Sequence, residues 1–358
     1  MGTYLANKIL QMCFTLFGVV TLVFFLFNVL PGDPSQMMLG QNQNELQRFL
    51  IKKKYGFDLP IEIQYLYFIN DLSPLSYHSK DKYSFTYYEK DKYGGVVVLN
   101  QSSGQWVLKF PYLRTSYQKR GKPVSEIIKE TLPNTIILAI SAMSIAVFLG
   151  VTLGIIAMLK KDHFIDKCLQ GVSTIGMSLP SFFIAILASW LFGLVLHEFT
   201  GLNMTGSLFE LDDYGENYQL KLKNLVLPAF VLGIRPLAVI VQLMRSSLLE
   251  VMEQDYILTA RAKGLSLARI IYKHALKNAL NPVLTAVSGW FASLLAGSIF
   301  VEYIFGWRGL GKEIITALNL LDVPVIMGAV MIIAFFFIII NIVVDLLYVY
   351  LDPQIKLN

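Results

Sequence analysis

The sequence predicts an all-α polytopic membrane protein with six transmembrane helices and a polar outer insert of partly β character after the first. Three observations carry this. First, the 358 residues are 55% hydrophobic and only 15% charged, with a mean hydropathy of +0.55. That is too apolar for a water-soluble chain of this length. Second, uncharged runs at 9–30, 131–159, 168–196, 278–301 and 323–344 each reach the roughly 20 residues that cross about 30 Å of hydrocarbon. A sixth run, 224–244, carries one charge, Arg235. Third, with the N-terminus inside, short inner segments hold Lys8, Lys160, Lys161, Lys167, Arg245, Arg261, Lys263, Arg269, Lys273, Lys277 and Lys356. Short outer ones hold only Lys221, Lys223, Arg308 and Lys312. This is the positive-inside pattern, and it places both termini in the cytoplasm. The net charge of +5 then follows from topology and implies no nucleic-acid partner. Cys13 and Cys168 are far apart in or beside spans, and His78, His163, His197 and His274 lack ligand spacing, so neither disulfide nor metal site is expected.

The first run is too long for a signal peptide, and no small-residue cleavage site follows it, so it reads as a retained helix. Pro31, Gly32 and Pro34 stop that helix. Residues 31–130 form one polar outer segment, which translocates despite its charge. Within it, 96–99 and 105–110 flank Asn100 to Gly104 as a β-hairpin. The Tyr-rich stretch 75–110 serves either as a docking surface for a partner or lipid headgroups, or as a decoration.

The second span is rich in Ala139, Ser141, Ala142, Ser144, Ala146, Gly150 and Gly154, small residues that let membrane helices approach closely. Pro180 should kink the third span and free a backbone carbonyl, making Pro180 and Ser181 a candidate pathway wall or merely a bend. Arg235 lies eleven residues past Asn224, roughly 16 Å deep at about 1.5 Å per residue. An intramembrane charge there marks a functional site or a structural pair, with Asp345 or a helix C-terminus as partner.

Residues 255–282 are too polar to cross a bilayer. Gly264 suits a helix end and Ser266 the N-cap of a second helix. Leu267, Ile270, Ile271, Ala275 and Ala279 recur at helical spacing, while Arg269, Lys273 and Lys277 form an i, i+4 stripe. The pattern predicts two short helices with a tight joint in the cytoplasm, before a fifth span opened by Asn281 and Pro282. A basic loop that only sets topology fits the same pattern.

The segment also resembles the cytoplasmic coupling loop of ABC-transporter permease subunits, whose pattern is EAA, three residues, Gly, nine residues, then I-x-L-P. Here Leu258, Thr259 and Ala260 take the EAA positions, Gly264 the Gly, and His274, Ala275, Leu276 and Lys277 the last four. The family's Glu, its second residue and its final Pro are absent. The strings ARAKGL and KHALKNAL are similar to the oligopeptide, dipeptide and nickel importer branch. So are VLPGDP, KKKYGFDLPIEIQYLYFIN, the outer block 301–311, and the carboxyl end with DVPVIMG and NIVVDLLYVYLDPQIK. The likeness covers nearly the whole chain except 75–110, and 113–124 resembles the family's re-entry into the core.

The resemblance implies six helices of the type I ABC importer kind: the first B-type subunit of an ATP-driven peptide importer in the bacterial cytoplasmic (inner) membrane. A nickel or other small-solute permease of the same branch is the alternative, and an ATP-independent secondary transporter a more distant one. The expected layout is an N-terminal helix at 1–30, an outer segment at 31–130, a five-helix core at 131–350 with a coupling loop at 245–280, and a cytoplasmic tail at 351–358. Implied partners are a second permease subunit, two ATPase subunits or domains, an extracytoplasmic solute-binding protein and the lipid bilayer. No cofactor is expected on this chain, and ATP and magnesium belong to the ATPases, so it is not itself an enzyme. Asp255, Thr259, Ala260, Arg261, Ala262, Lys263, Gly264 and Leu265 are the implied ATPase-coupling residues. Arg235, Pro180 and Ser181 are candidates for the pathway. Gly306 to Lys312 nearly spells a phosphate loop, but Glu313 replaces the metal-binding hydroxyl and no strand precedes it.

Overall fold

The computed structural model describes residues 2–29, 34–39, 44–82, 84–119, 121–212 and 214–351. In chain order these form α1 (Gly2–Val29), α2 (Pro34–Leu39), α3 (Glu45–Tyr55), α4 (Ile61–Leu72), β1 (Leu75–Ser79), α5 (Lys90–Tyr93), β2 (Val96–Asn100) and β3 (Gly104–Leu108). There follow α6 (Val124–Leu159), α7 (Phe164–Ser178), α8 (Ser181–Trp190), α9 (His197–Thr200), β4 (Phe209–Leu211), β5 (Tyr218–Leu220) and α10 (Lys223–Met252). The chain ends with α11 (Asp255–Ala262), α12 (Leu267–Ile270), α13 (Leu276–Ile304), α14 (Leu310–Asn319) and α15 (Val323–Leu351). The expected turn at Pro31 to Asp33 and the tail at 352–358 lie outside the described residues.

Among the described residues, five helical stretches are long and apolar enough to cross a membrane. Phe164–Ser178 and Ser181–Val195 pass the same test as a pair bent by 109°, a broken span or a re-entrant loop. Pro180 therefore breaks the third span rather than kinking it. The backbone is extended at Leu179 and Pro180, because the proline ring disfavours helical backbone in the residue before it. The fifth span also differs from expectation. It runs as one helical stretch, Leu267–Ile304, through a π turn at Ile271–Ala275, with Pro282 inside α13. Its 38 residues extend about 57 Å at 1.5 Å each. That far exceeds the hydrocarbon thickness, so the second short helix is the protruding end of the span. Pro133 likewise lies inside α6, which starts at Val124 rather than Thr131.

The chain divides into two compact units. One comprises 1–9, 131–312 and 335–358; the other comprises 10–130 and 313–334. In the first, the core packs Leu138, Ala142, Ala185, Leu232, Leu295 and Trp307 together. Close approach is literal at α6: a Cβ on Gly150 would come within 2.7 Å of the Ile240 side chain, and one on Gly154 within 2.6 Å of Met244.

In the second unit, Asn44 caps α3 by accepting from the Leu46 N–H at 3.0 Å. Gly56, at φ +71°, ends α3 and turns the chain into α4. Phe68 of α4 packs on Val20 and Phe24 of α1 and on Met327 of α15. The expected hairpin is β2 and β3, and β1 adds a third antiparallel strand in the order β1-β3-β2. The sheet is tied to the end of α4. Asn70 exchanges two hydrogen bonds with the Tyr77 backbone, and Lys109 Nζ donates to the Asp71 carbonyl. Leu75, Val96 to Leu99, Leu108 and Phe110 remain exposed.

Candidate functional site

The loop after α10 is built by its apolar residues. Ile257 and Ala260 of α11 are buried with Ile270, Ile271 and Ala275, on Leu248 and Met252 of α10. Leu267, expected on the same face, is instead exposed. Between the two helices Gly264 has φ +76°. Its N–H donates to Arg261 O at 2.9 Å, and Leu265 N–H donates to Ala260 O at 3.4 Å. These are the two bonds of a Schellman motif, which needs a left-handed residue at the Gly264 position. Half-buried Leu265 packs back on the same cluster, fixing the angle between the helices. Ser266 occupies the N-cap position but its side chain makes no capping bond.

Asp255, Thr259, Arg261, Ala262, Lys263 and Gly264 are exposed, whereas Ala260 lies inside the elbow. Tyr256, Leu258, Leu267 and Tyr272 are exposed beside them. The elbow is thus a rigid bend that presents apolar and basic side chains and continues without a break into the fifth span.

The third and fourth spans meet at two cation contacts. Arg235 Nη2 donates to the Met177 carbonyl at 3.3 Å, three residues before Pro180, and Arg235 Nε is buried without a partner. Arg235, Pro180 and Ser181 thus belong to one neighbourhood. The Asp345 alternative falls on a side chain outside the described residues. Nearer the loop, Arg245 holds Asp166 with two parallel bonds of 2.6 Å, Nε to Oδ1 and Nη2 to Oδ2. Asp166 also accepts from Gln170 at 2.9 Å and from the Asp162 N–H at 3.0 Å. Sequence reasoning missed this pair: the partners are 79 residues apart, and Asp166 stands near Lys160, Lys161 and Lys167, which drew the reading toward topology.

Glu302 was missed as well. It is fully buried at the end of α13, and its Oε2 accepts from the Gly311 and Lys312 N–H groups at 2.7 and 3.2 Å. In the near phosphate loop, a carboxylate of the chain itself thus occupies the place where backbone amides would meet a phosphate. Around it, buried Trp307 donates to Asn134 O at 3.0 Å, Leu310 N–H to Thr135 Oγ1 at 2.8 Å, and Arg308 N–H to Ser207 Oγ at 3.2 Å. The block 301–311 is therefore a brace between α6 at Asn134 and Thr135 and the loop at Ser207 before α10. Its one sequence signal was a Glu within an apolar stretch.

One stretch broken at a proline, an arginine inside a membrane-length helix and a protruding elbow define a multi-pass membrane subunit built for transport. Comparison with known proteins specifies it further. The family described as "Binding-protein-dependent transport system inner membrane component" matches residues 150–357, and "Binding-prot-dependent transport system membrane comp, N-term" matches residues 1–76. The chain belongs to this family of ABC importer permease subunits. Among its relatives are the dipeptide transport system permease protein DppB of Alkalihalophilus pseudofirmus, 32% identical over 99% of this chain and 100% of that protein, and the di/tripeptide permease DppB of Pseudomonas aeruginosa, 32% identical over 99% of each. The oligopeptide permease AppB of Bacillus subtilis is 31% identical over 99% of this chain and 100% of its own. A solved inward-facing MetNI methionine ABC transporter aligns at 15% identity over 64% of this chain and 97% of that one, with a TM-score of 0.49.

Proposed function

We propose that this permease subunit forms the pathway for short peptides and is driven by ATPases docked on the elbow around Gly264. The observation that carries the coupling reading is the unbroken helix from Leu267 to Ile304. A push on the exposed face of α11 and α12 becomes a rigid-body movement of the fifth span, one way to switch a pathway between two states. Asp255, Thr259, Arg261, Ala262, Lys263 and Gly264 offer the contact surface, while Ala260 and Leu265 hold its shape. The names of the relatives support peptides as cargo over nickel.

In this reading the break at Pro180 and Ser181, with Arg235 beside it, faces the pathway. The elbow and both termini are cytoplasmic, and the sheet of β1 to β3 is outside. A second permease, two ATPase subunits or domains carrying ATP and magnesium, and an extracytoplasmic binding protein complete the importer. Proteoliposomes holding the full complex, with ATP inside and binding protein outside, should accumulate a labelled dipeptide. Uptake that needs no ATP and collapses with a proton gradient would replace this reading by secondary transport. Accumulation of nickel with no peptide uptake would move the cargo to the metal.

A further inference from the structure

In the unit formed by 10–130 and 313–334, the sheet of β1, β3 and β2 has one covered face and one bare one. Ser76, His78 and Val107 lie on the covered face and are buried. On the other face the register sets Leu75, Leu108 and Val96 in one row and Tyr77, Trp106 and Leu99 in the next. All four aliphatic side chains of these rows are exposed. β2 begins Val-Val-Val-Leu, without the polar alternation of a strand whose outer face meets water. It is also an edge of the sheet, where an uncovered apolar strand invites aggregation.

Helix α4 fixes the level of this face. Its Tyr65, Phe68 and Leu72 pack with Val20 and Phe24 of α1 and Met327 of α15, residues inside the apolar windows Leu10–Phe27 and Val323–Val344. α4 therefore lies where two membrane-length helices enter hydrocarbon. β1 begins three residues past Leu72, at most about 11 Å of extended chain. The chain leaving β3 returns to the same place: Lys109 N–H donates to Pro74 O and Tyr112 N–H to Asp71 O, each at 2.9 Å. Phe110, between them, is 91% exposed. From that end the bare face changes along the strands. Phe110 and the row of Leu75, Leu108 and Val96 come first. Tyr77 and Trp106, with ring centres 5.5 Å apart, come second, and exposed Gln101, Ser102 and Ser103 form the far turn. Aliphatic, then Tyr and Trp, then polar is the order met on leaving a bilayer.

We propose that this face of the sheet rests in the surface of the phospholipid bilayer, with Phe110, Leu75, Leu108 and Val96 at the first acyl carbons and Tyr77 and Trp106 at headgroup level. The contact is apolar, so it selects no headgroup and uses no charged side chain. A docked protein would not require polarity to change along the strands in step with the depth of α1 and α15. The sheet thereby holds the joint of α1, α4 and α15 at a set depth, whichever solute the importer carries.

The test uses the full permease complex in phosphatidylcholine vesicles, with Cys13 and Cys168 changed to Ser. A nitroxide is placed at one position at a time through Val96→Cys, Phe110→Cys, Ser102→Cys or Phe14→Cys, all exposed positions. Its relaxation by oxygen, which concentrates in hydrocarbon, is compared with that by chromium oxalate, which stays in water. The oxygen-to-chromium ratio at Val96 and Phe110 should stand well above that at Ser102 and approach that at Phe14, which lies inside the apolar window of α1. Adding the binding protein should leave both ratios unchanged. Each variant is checked by its melting curve, and Leu108→Cys gives the same reading should one of the two melt low. Ratios at Val96 and Phe110 equal to that at Ser102 would place the face in water and overturn the proposal. Loss of collisions with both relaxers would mean that a subunit covers the face, and the same loss only on adding the binding protein would give the face to that protein; either result overturns it.

Discussion

Arg235 of α10 donates to the carbonyl of Met177 in α7 at 3.3 Å. In an unbroken helix that carbonyl would receive the N–H of residue 181. The break at Pro180 separates the two groups, and the arginine takes up part of the hydrogen-bonding capacity released at the end of α7. A single bond leaves guanidinium donors to spare, so one residue can brace the break and still meet a passing carboxylate.

On the pathway reading, Arg235→Gln slows uptake of peptides with a free carboxyl end more than of amidated ones. The melting temperature of the complex falls only modestly, since a charged hydrogen bond contributes about 1.5–3 kcal/mol. Uptake of both peptide types, measured beside a melting curve, decides it. Equal slowing with a large drop in melting temperature assigns Arg235 to structure alone.

At the elbow, a Cβ on Gly264 would meet nothing within 4 Å, so only the left-handed backbone resists substitution. Gly264→Val should cost about 1–2 kcal/mol or more, bending the joint while leaving membrane insertion intact. Gly264→Asn should cost less, since Asn tolerates this conformation. ATPase stimulation by loaded binding protein should fall in the order Gly, Asn, Val; equal stimulation in all three removes the coupling role.

The Asp166–Arg245 pair is nearly closed to solvent, with side-chain exposures of 1% and 18%. Removing one partner strands the other, so Arg245→Ala should destabilise the protein by about 3–5 kcal/mol. Replacing both by Met and Leu should cost much less. Thermal unfolding in detergent of the two variants measures the difference, and similar losses would contradict it.

The sheet of β1 to β3 should weaken in acid. His78 is fully buried, donates Nδ1–H to Thr86 O at 3.2 Å and meets Ser76 Oγ through Nε2 at 2.9 Å. Burial, with Lys109 and Lys92 nearby, holds its imidazole below the ordinary 6.5, against the opposing pull of the Thr86 bond and Asp71. The unfolded state then binds the proton more readily. Stability is fully present above about pH 6.5 and declines as pH falls toward the folded value. The protection factors of β1 and β3 amides, which divide out the intrinsic base-catalysed rate, should fall between pH 7.5 and 5, and this dependence should shrink in His78→Gln.

The sequence alone located five spans, because crossing hydrocarbon demands a length and an apolarity that local composition reports; the break of the third at Pro180 came from the fold. The sequence also located the Gly264 joint and the β2–β3 hairpin, which depend on backbone preferences of a few adjacent residues. Tertiary structure alone decided what met across distance: Arg245 with Asp166, Glu302 with the Gly311 amide, β1 beside β3, and Arg235 with the carbonyl freed at Pro180. It also decided that the second elbow helix and the fifth span are one rod, since a proline within a helix can either end or bend it. Such pairings are set by packing between elements far apart in the chain, where no spacing rule in a single sequence carries the information.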